Sequence, residues 1–191
     1  MSLVGYTREN PLPVEWLDGQ PKSLEIGCGS NPQPGYFHTD VVEGPDVQVV
    51  CDAKSLPFPD GYFDSVLMFG VFEHFGIFEI QEVMLEVVRV LRQGGSFKFD
   101  VPDFDWFMYA LWTNCDKHTQ AELAPHRDED WILKSIFGGQ DGPGMFHKWG
   151  WNEKRLRAFL EKPNWAFSEI KLVGRQWRDP EANHLIWECL K

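Results

Sequence analysis

The stretch LEIGCGSNPQPGYFHTD, Leu24 to Asp40, constrains the fold of this chain more than any other. An apolar run, Ser23–Cys28, ends at glycine, and a second strand-like run, Tyr36–Val42, follows almost at once. Only Ser30 to Gly35 lie between, and Pro32, Pro34 and Gly35 disfavour a full helix there. A dinucleotide site needs a crossover helix whose N-terminus holds a pyrophosphate. It also expects its acid about 20 residues after the first glycine, whereas Asp40 comes much sooner after Gly27. The turn therefore disfavours a nicotinamide dinucleotide.

The rest of the chain extends this pattern. Val47–Ala53 reads as a third strand, and Ser65–Val71 is a nearly unbroken apolar run of the kind buried on both faces of a parallel sheet. Between them, Leu56–Asp64 carries two prolines and an Asp-Gly pair, the marks of a turn-rich loop. Ile77, Ile80, Met84, Val87, Val88 and Leu91 follow helical spacing, and Gly94 and Gly95 predict the end of that helix. Ser96–Val101 is then a strand closed by Pro102. Phe104–Phe137 predicts two irregular helices, Gly138–Trp151 a glycine-rich loop, and Asn152–Glu161 a helix capped near Asn152. Phe167–Val173 and His184–Leu190 end the chain as two strands whose short link permits an antiparallel pair.

The alternation predicts one α/β domain over residues 1–191, a Rossmann-like three-layer sandwich with a mostly parallel central sheet and an antiparallel C-terminal strand pair. Residues 1–22 form a surface segment in this scheme, and 104–151 an insertion on the acceptor side. Ligands of such sheets bind beyond the carboxyl ends of the strands, which here are Gly27–Asn31, Asp40, Asp52 and Phe69–His74.

Charge bears on the partner. The chain has 18 basic and 29 acidic residues, a net charge of −11. Nucleic-acid affinity comes mainly from Lys and Arg on phosphates, so the balance argues against a nucleic-acid partner. The densest basic run, Asn152–Arg157, reads as a solvated helix face. None of the four cysteines forms a C-x-x-C pair, and no metal is expected. The N-terminus shows no signal core, and no run reaches the ~20 apolar residues of a membrane span. The expectation is a cytoplasmic protein away from membranes, with a homodimer left open.

From Leu24 to about Val101 the sequence resembles the class I S-adenosylmethionine-dependent methyltransferases, in their methyltransferase type 11-like branch. The family's acid-x-G-x-G motif stands as Glu25, Gly27 and Gly29, and its acids after the second and third strands as Asp40 and Asp52. SLPFPDGYFD follows, then Glu73-His74 after the fourth strand, and VLRQGG before the fifth. The resemblance implies S-adenosylmethionine as cofactor. Gly27 and Gly29 would pass under its methionine part, with Cys28 and Asn31 in the same turn and Glu25 supporting the loop or approaching the amino group. Asp40 would hold the ribose hydroxyls, Val41 would lie against adenine, Asp52 and Ala53 would read the adenine edge, and Phe69 and Gly70 would flank the methionine end. The sequence departs from the family in its short first crossover and in Asn31, which stands where the longer motif has a third glycine.

Methyl transfer from a sulfonium needs alignment and water exclusion, and a base only if the acceptor must lose a proton. His74 and His147 are the candidate catalytic residues; Asp103, Trp106 and Trp149 are the candidate acceptor contacts. No NPPY-type motif is present, so a small-molecule or glycan-like acceptor is expected. The alternative is a non-catalytic module that binds the cofactor and regulates or scaffolds a partner.

Overall fold

The computed structural model describes residues 2–115, 129–140, 142, 144–176 and 183–191. Seven strands form one sheet, β1 (Ser23–Ile26), β2 (Phe37–Asp40), β3 (Val49–Val50), β4 (Phe63–Met68), β5 (Leu91–Pro102), β6 (Glu169–Gln176) and β7 (Asn183–Leu190), in the order β3-β2-β1-β4-β5-β7-β6. β1 to β5 pair in parallel, and β7 runs antiparallel between β5 and β6. The order reverses between β1 and β4, so the carboxyl ends of these two strands open the crevice where such sheets bind ligands. The helices α1 (Glu79–Val90), α2 (Phe104–Cys115), α3 (Glu129–Phe137) and α4 (Glu153–Leu160) flank the sheet, giving the expected three-layer α/β sandwich.

No helix separates β1 from β2, as the prolines of that turn predict. α1 buries Ile80, Val83, Met84, Val87 and Val90 in the main core. α4 adds Leu156, Phe159 and Leu160, and Asn152 caps it by accepting a hydrogen bond from Arg155 N at 2.9 Å. Residues 1–22 do more than lie on the surface. Leu3 bridges Val49 at the sheet edge, and Leu12 and Leu17 enter the core.

Two boundaries differ from the sequence reading. The third strand is only Val49–Val50, because Val47 and Cys51 lie outside the ladder although both are buried. The glycines at 94 and 95 do not separate α1 from the next strand. β5 starts at Leu91, directly after the helix, and Leu91 pairs with Phe63 before the register shifts to Ser65–Ser96. Gly94, at φ +71°, serves this irregularity within the strand rather than a helix cap.

The loop between β3 and β4 is fixed by a buried ion pair. Glu86 accepts from Leu56 N at 2.8 Å, and Arg89 donates to Glu86, to Asp60 and to the carbonyls of Leu56 and Phe58. This holds Leu56 and Phe58 in the core and sets the path from Asp52 to β4.

Candidate active site

The donor side is built from the ends of β1, β2 and β4. Gly27 stands at φ +72°, and Val71 fills the space where a Cβ would be. The first turn thus packs directly against the segment after β4. Gly29 (φ +55°) and Gly70 (φ +65°) lie on either side, and nothing within 4 Å occupies the position of a Cβ at either. Both backbones are therefore bare toward a ligand.

Asp40 closes this turn from β2. Its two carboxylate oxygens accept from Gly29 N and Val42 N, each at 2.9 Å, and the half-buried carboxylate keeps lone pairs for a further donor. Glu25 is buried and accepts from Gln33 N at 2.7 Å, with His38 Nε2 at 3.6 Å. Of the two roles considered for Glu25, loop support is the one its described bonds show. Cys28 is buried; its thiol is pushed up to about 11, first by burial and then by the charges of Asp40 and Glu25, so it stays protonated and inert. Asn31 and Val41 are exposed, as is Asp52, whose carboxylate accepts from Lys54 N and pairs with Lys54 Nζ at 3.5 Å. Ala53 is buried. Phe69 is half-buried, and Gly70 N donates to the fully buried Asp100 at 2.7 Å.

The acceptor side lies past β4 and β5. A short 3-10 helix, Phe72–His74, carries Glu73 and His74. The segment after α3 returns over it. His147 N donates to Phe137 O at 3.0 Å, and Lys148 N donates to Glu73 O at 2.9 Å. The His74 and His147 rings meet edge to face at 4.9 Å. His147 Nε2 lies 3.9 Å from Glu73 Oε1, and Glu73 Oε2 is buried with no hydrogen-bond partner. Beside them is a cavity whose lining includes Glu73, Phe104, Phe107, His147, Trp149 and Trp151. The indole N–H of Trp151 is likewise buried and unpartnered.

The electrostatics here are unusual. Burial, then the charge of Asp100, pushes the Glu73 carboxyl up to about 8. Burial, then His74, pulls His147 down to about 4. Burial also lowers His74, against hydrogen bonds to the carbonyls of Phe146, Gly144 and Gly70 that raise it. All three shifts favour the neutral forms, a carboxyl and two imidazoles, in a wall that can exchange protons or supply lone pairs.

The structure thus brings His74 and His147 together, and it separates the other candidates. Asp103 accepts from Arg175, Asn183 and, at 3.5 Å, from Trp106 N, so it serves as cap and strut at the start of α2. Trp106 packs on Phe107 in a second, smaller core with α3. Trp149 remains at the cavity, with the Arg155 guanidinium 5.8 Å from its ring. Sequence reasoning passed over Glu73 except as a motif letter, and it missed the Asp100–His184 pair at 2.7 Å. An acid inside the apolar run SFKFDV was the available signal for Asp100.

Strand order, the turn after β1 and the carboxylate of β2 match the fold of the class I S-adenosylmethionine-dependent methyltransferases. A model of the family described as "Methyltransferase domain" matches residues 37–99, from β2 into β5. It is 32% identical over 110 residues to tRNA (carboxymethyluridine(34)-5-O)-methyltransferase alkbh8 of Xenopus tropicalis, a match covering 47% of this chain and 18% of that protein. It is 35% identical over 97 residues to Probable tRNA methyltransferase 9B of Mus musculus, covering 41% and 22%. The chain therefore spans less than a quarter of the curated relatives it matches. Among solved structures, a possible histamine N-methyltransferase of Thermotoga maritima superposes with TM-score 0.60 at 16% identity, covering 93% of this chain and 86% of that one. A Burkholderia thailandensis 1,6-didemethyltoxoflavin-N1-methyltransferase, bound to S-adenosylhomocysteine, gives 0.54 at 16% identity, covering 93% and 74%. These two likenesses show the fold.

The residues present fit the family's cofactor. The bare glycine backbones at 29 and 70 leave the crevice open, the half-buried Asp40 faces it with spare acceptor capacity, and S-adenosylmethionine has no phosphate that would miss the absent helix. The expectation that excluded a nucleic-acid partner is corrected, because the two curated relatives are both tRNA methyltransferases. A net charge of −11 averages over the whole surface and does not report a local cluster of cations. No described helix is long and apolar enough to cross a membrane.

Proposed function

We propose that this chain transfers a methyl group from S-adenosylmethionine to a modified uridine in tRNA, at an acceptor site walled by Glu73, His74, His147 and Trp149. When bound, the cofactor supplies a sulfonium methyl, an electrophile that needs an aligned nucleophile and a dry site. The Gly27–Asn31 turn and Asp40 hold the donor, and Phe69–Gly70 separates it from the acceptor wall.

The observation that carries the RNA reading is the likeness to two tRNA methyltransferases over 47% and 41% of this chain. The surface supports it. Trp149 and Trp151 line both the acceptor cavity and an adjoining open trough with Ile77, Phe159, Arg155 and Lys162. A base can stack on such an aromatic while the two cations meet its phosphates. An acceptor that is already an oxyanion, such as the carboxymethyl group in the name of the Xenopus relative, has no proton to lose, so neutral histidines suffice to position it. A small-molecule or glycan-like acceptor is the second reading; for either acceptor the cavity, about 10 Å³ as it stands, must open.

The test is label transfer from methyl-tritiated S-adenosylmethionine into bulk tRNA and into a panel of small acids, amines and sugars. Alkali-labile label in tRNA is expected, since a methyl ester hydrolyses readily. Turnover confined to small molecules would move the acceptor to the second reading. Binding of S-adenosylhomocysteine with no turnover on either set would leave only the non-catalytic module.

A further inference from the structure

We propose that Glu73, His74 and His147 bind one divalent transition-metal ion of the Zn2+ type, as two imidazoles and one carboxylate beside the acceptor cavity. One ligand atom from each residue lies within 4.8 Å of the other two. Ligand atoms of a tetrahedral zinc site stand roughly 3.3 Å apart, given bond lengths of about 2.0–2.1 Å. The observed spacing exceeds this by up to about 1.5 Å, so the three side chains must draw together around an ion.

The surroundings of the three side chains are those of a ligand set. His74 Nδ1 lies 3.1 Å from the carbonyl of Phe146, and His147 Nδ1 lies 3.1 Å from the carbonyl of Ser135. A carbonyl can only accept, so each Nδ1 donates in these contacts; His147 Nε2 then faces Glu73 Oε1 at 3.9 Å, and the His74 ring also lies among the carbonyls of Gly144 and Gly70. Metal-bound histidines are held by the same kind of bond to a backbone carbonyl. The backbone is also fixed, by Lys148 N on Glu73 O and His147 N on Phe137 O.

The independent sign of a ligand is Glu73. Its side chain is 4% exposed, and Oε2 has no hydrogen-bond partner. A buried carboxyl oxygen left unpaired is costly, because it has given up water without a replacement. Among the described residues no lysine or arginine pairs with Glu73; Lys148, next to His147 in sequence, instead pairs with Glu79 at 2.9 Å. Asp100, fully buried, adds negative charge nearby, partly offset by its bond to His184. A dication there would satisfy Oε2 and both imidazole lone pairs at once. Three protein ligands leave a coordination position open, and the cavity bordered by Glu73 and His147 is where an acceptor oxygen would take it. Mixed nitrogen and oxygen donors favour Zn2+ over Mg2+, which prefers all-oxygen shells. The binding of the ion does not depend on which acceptor is methylated.

The experiment uses the full chain stripped with chelator, then titrated with Zn2+, Mg2+ and Co2+. One equivalent of Zn2+ is expected, with Mg2+ much weaker. The Co2+ form should show visible d–d bands and no thiolate charge-transfer band, which separates this site from the cysteines. Glu73→Gln and His147→Asn should each weaken Zn2+ binding at least roughly tenfold, the scale on which even outer-shell changes act. Zn2+ bound no more tightly than Mg2+ by the wild-type chain would overturn the proposal. So would a thiolate band, or affinity unchanged in both variants. Circular dichroism identifies a variant that does not fold, and His74→Asn then takes its place.

Discussion

Gly27→Ala tests the contact that joins the two halves of the donor site. At φ +72° an alanine costs about 1–2 kcal/mol of backbone strain. Its Cβ would also stand 3.2 Å from Val71 Cγ1 and 3.4 Å from Val71 Cβ, and closer still to Cγ2. Val71 is β-branched and resists rotation about χ1, so relief must come from shifts of the backbone around it. Overpacking of this kind costs about 1–3 kcal/mol. Together the two effects predict a loss of about 2–5 kcal/mol in urea unfolding followed by tryptophan fluorescence. Val71→Ala alone should cost about 1 kcal/mol, because that side chain is only half-buried. The double variant keeps the strain and loses the clash, so the two substitutions should couple favourably by about 1–3 kcal/mol. S-adenosylhomocysteine affinity should stay impaired in the double variant, since the turn remains strained. Additivity within about 0.5 kcal/mol would show that the turn and the segment after β4 do not touch, and the geometry argued for the crevice would fall.

Further outcomes follow from other parts of the site. Asp40→Ala should lower S-adenosylhomocysteine affinity at least roughly tenfold, with two loop hydrogen bonds and the ribose contact gone; unchanged affinity by calorimetry in a folded variant would take Asp40 out of the site. Glu86→Ala should cost about 3–5 kcal/mol in chemical unfolding, because Arg89 loses the partner that holds it beneath the loop; a loss under about 1 kcal/mol would make the pair dispensable. In chelator, the raised carboxyl of Glu73 makes the folded state bind more protons than the unfolded state between its ordinary value and about 8, so stability falls with rising pH there, by at most about 1.4 kcal/mol per pH unit. Glu73→Gln should flatten that limb. His147, pulled down to about 4, has the opposite sign: stability falls as pH drops from its ordinary value toward 4, and His147→Asn should remove that loss.

The donor half was legible because its signals are local. Glycines, prolines and acids at strand ends sit within a few residues of the geometry they set, so Gly27, Gly29 and Asp40 can be read one turn at a time. The start of β5 was not legible. Leu91 completes the helical pattern of α1 and also pairs with Phe63, and one residue cannot announce both roles. The acceptor wall was legible only in pieces. His74 and His147 each stand out in the sequence, yet nothing local predicts that their rings meet at 4.9 Å.

The placement of Glu73 says why donor and acceptor sites differ in this way. The candidate donor side is largely bare backbone, and Asp40, the acid beside it, keeps both carboxylate oxygens hydrogen-bonded to the loop. The acceptor side presents side chains whose polarity the fold leaves unsatisfied, at Glu73 Oε2 and Trp151 Nε1. Buried polar atoms without partners are costly, and two of the three among the described residues border this one cavity. Phe72, beside Glu73 in the same short helix, packs on Phe99 and Trp151, so the core that stabilises the sheet also fixes Glu73 in place. The candidate donor turn, by contrast, is tied to β1, β2 and Val71, so its backbone has little freedom to change.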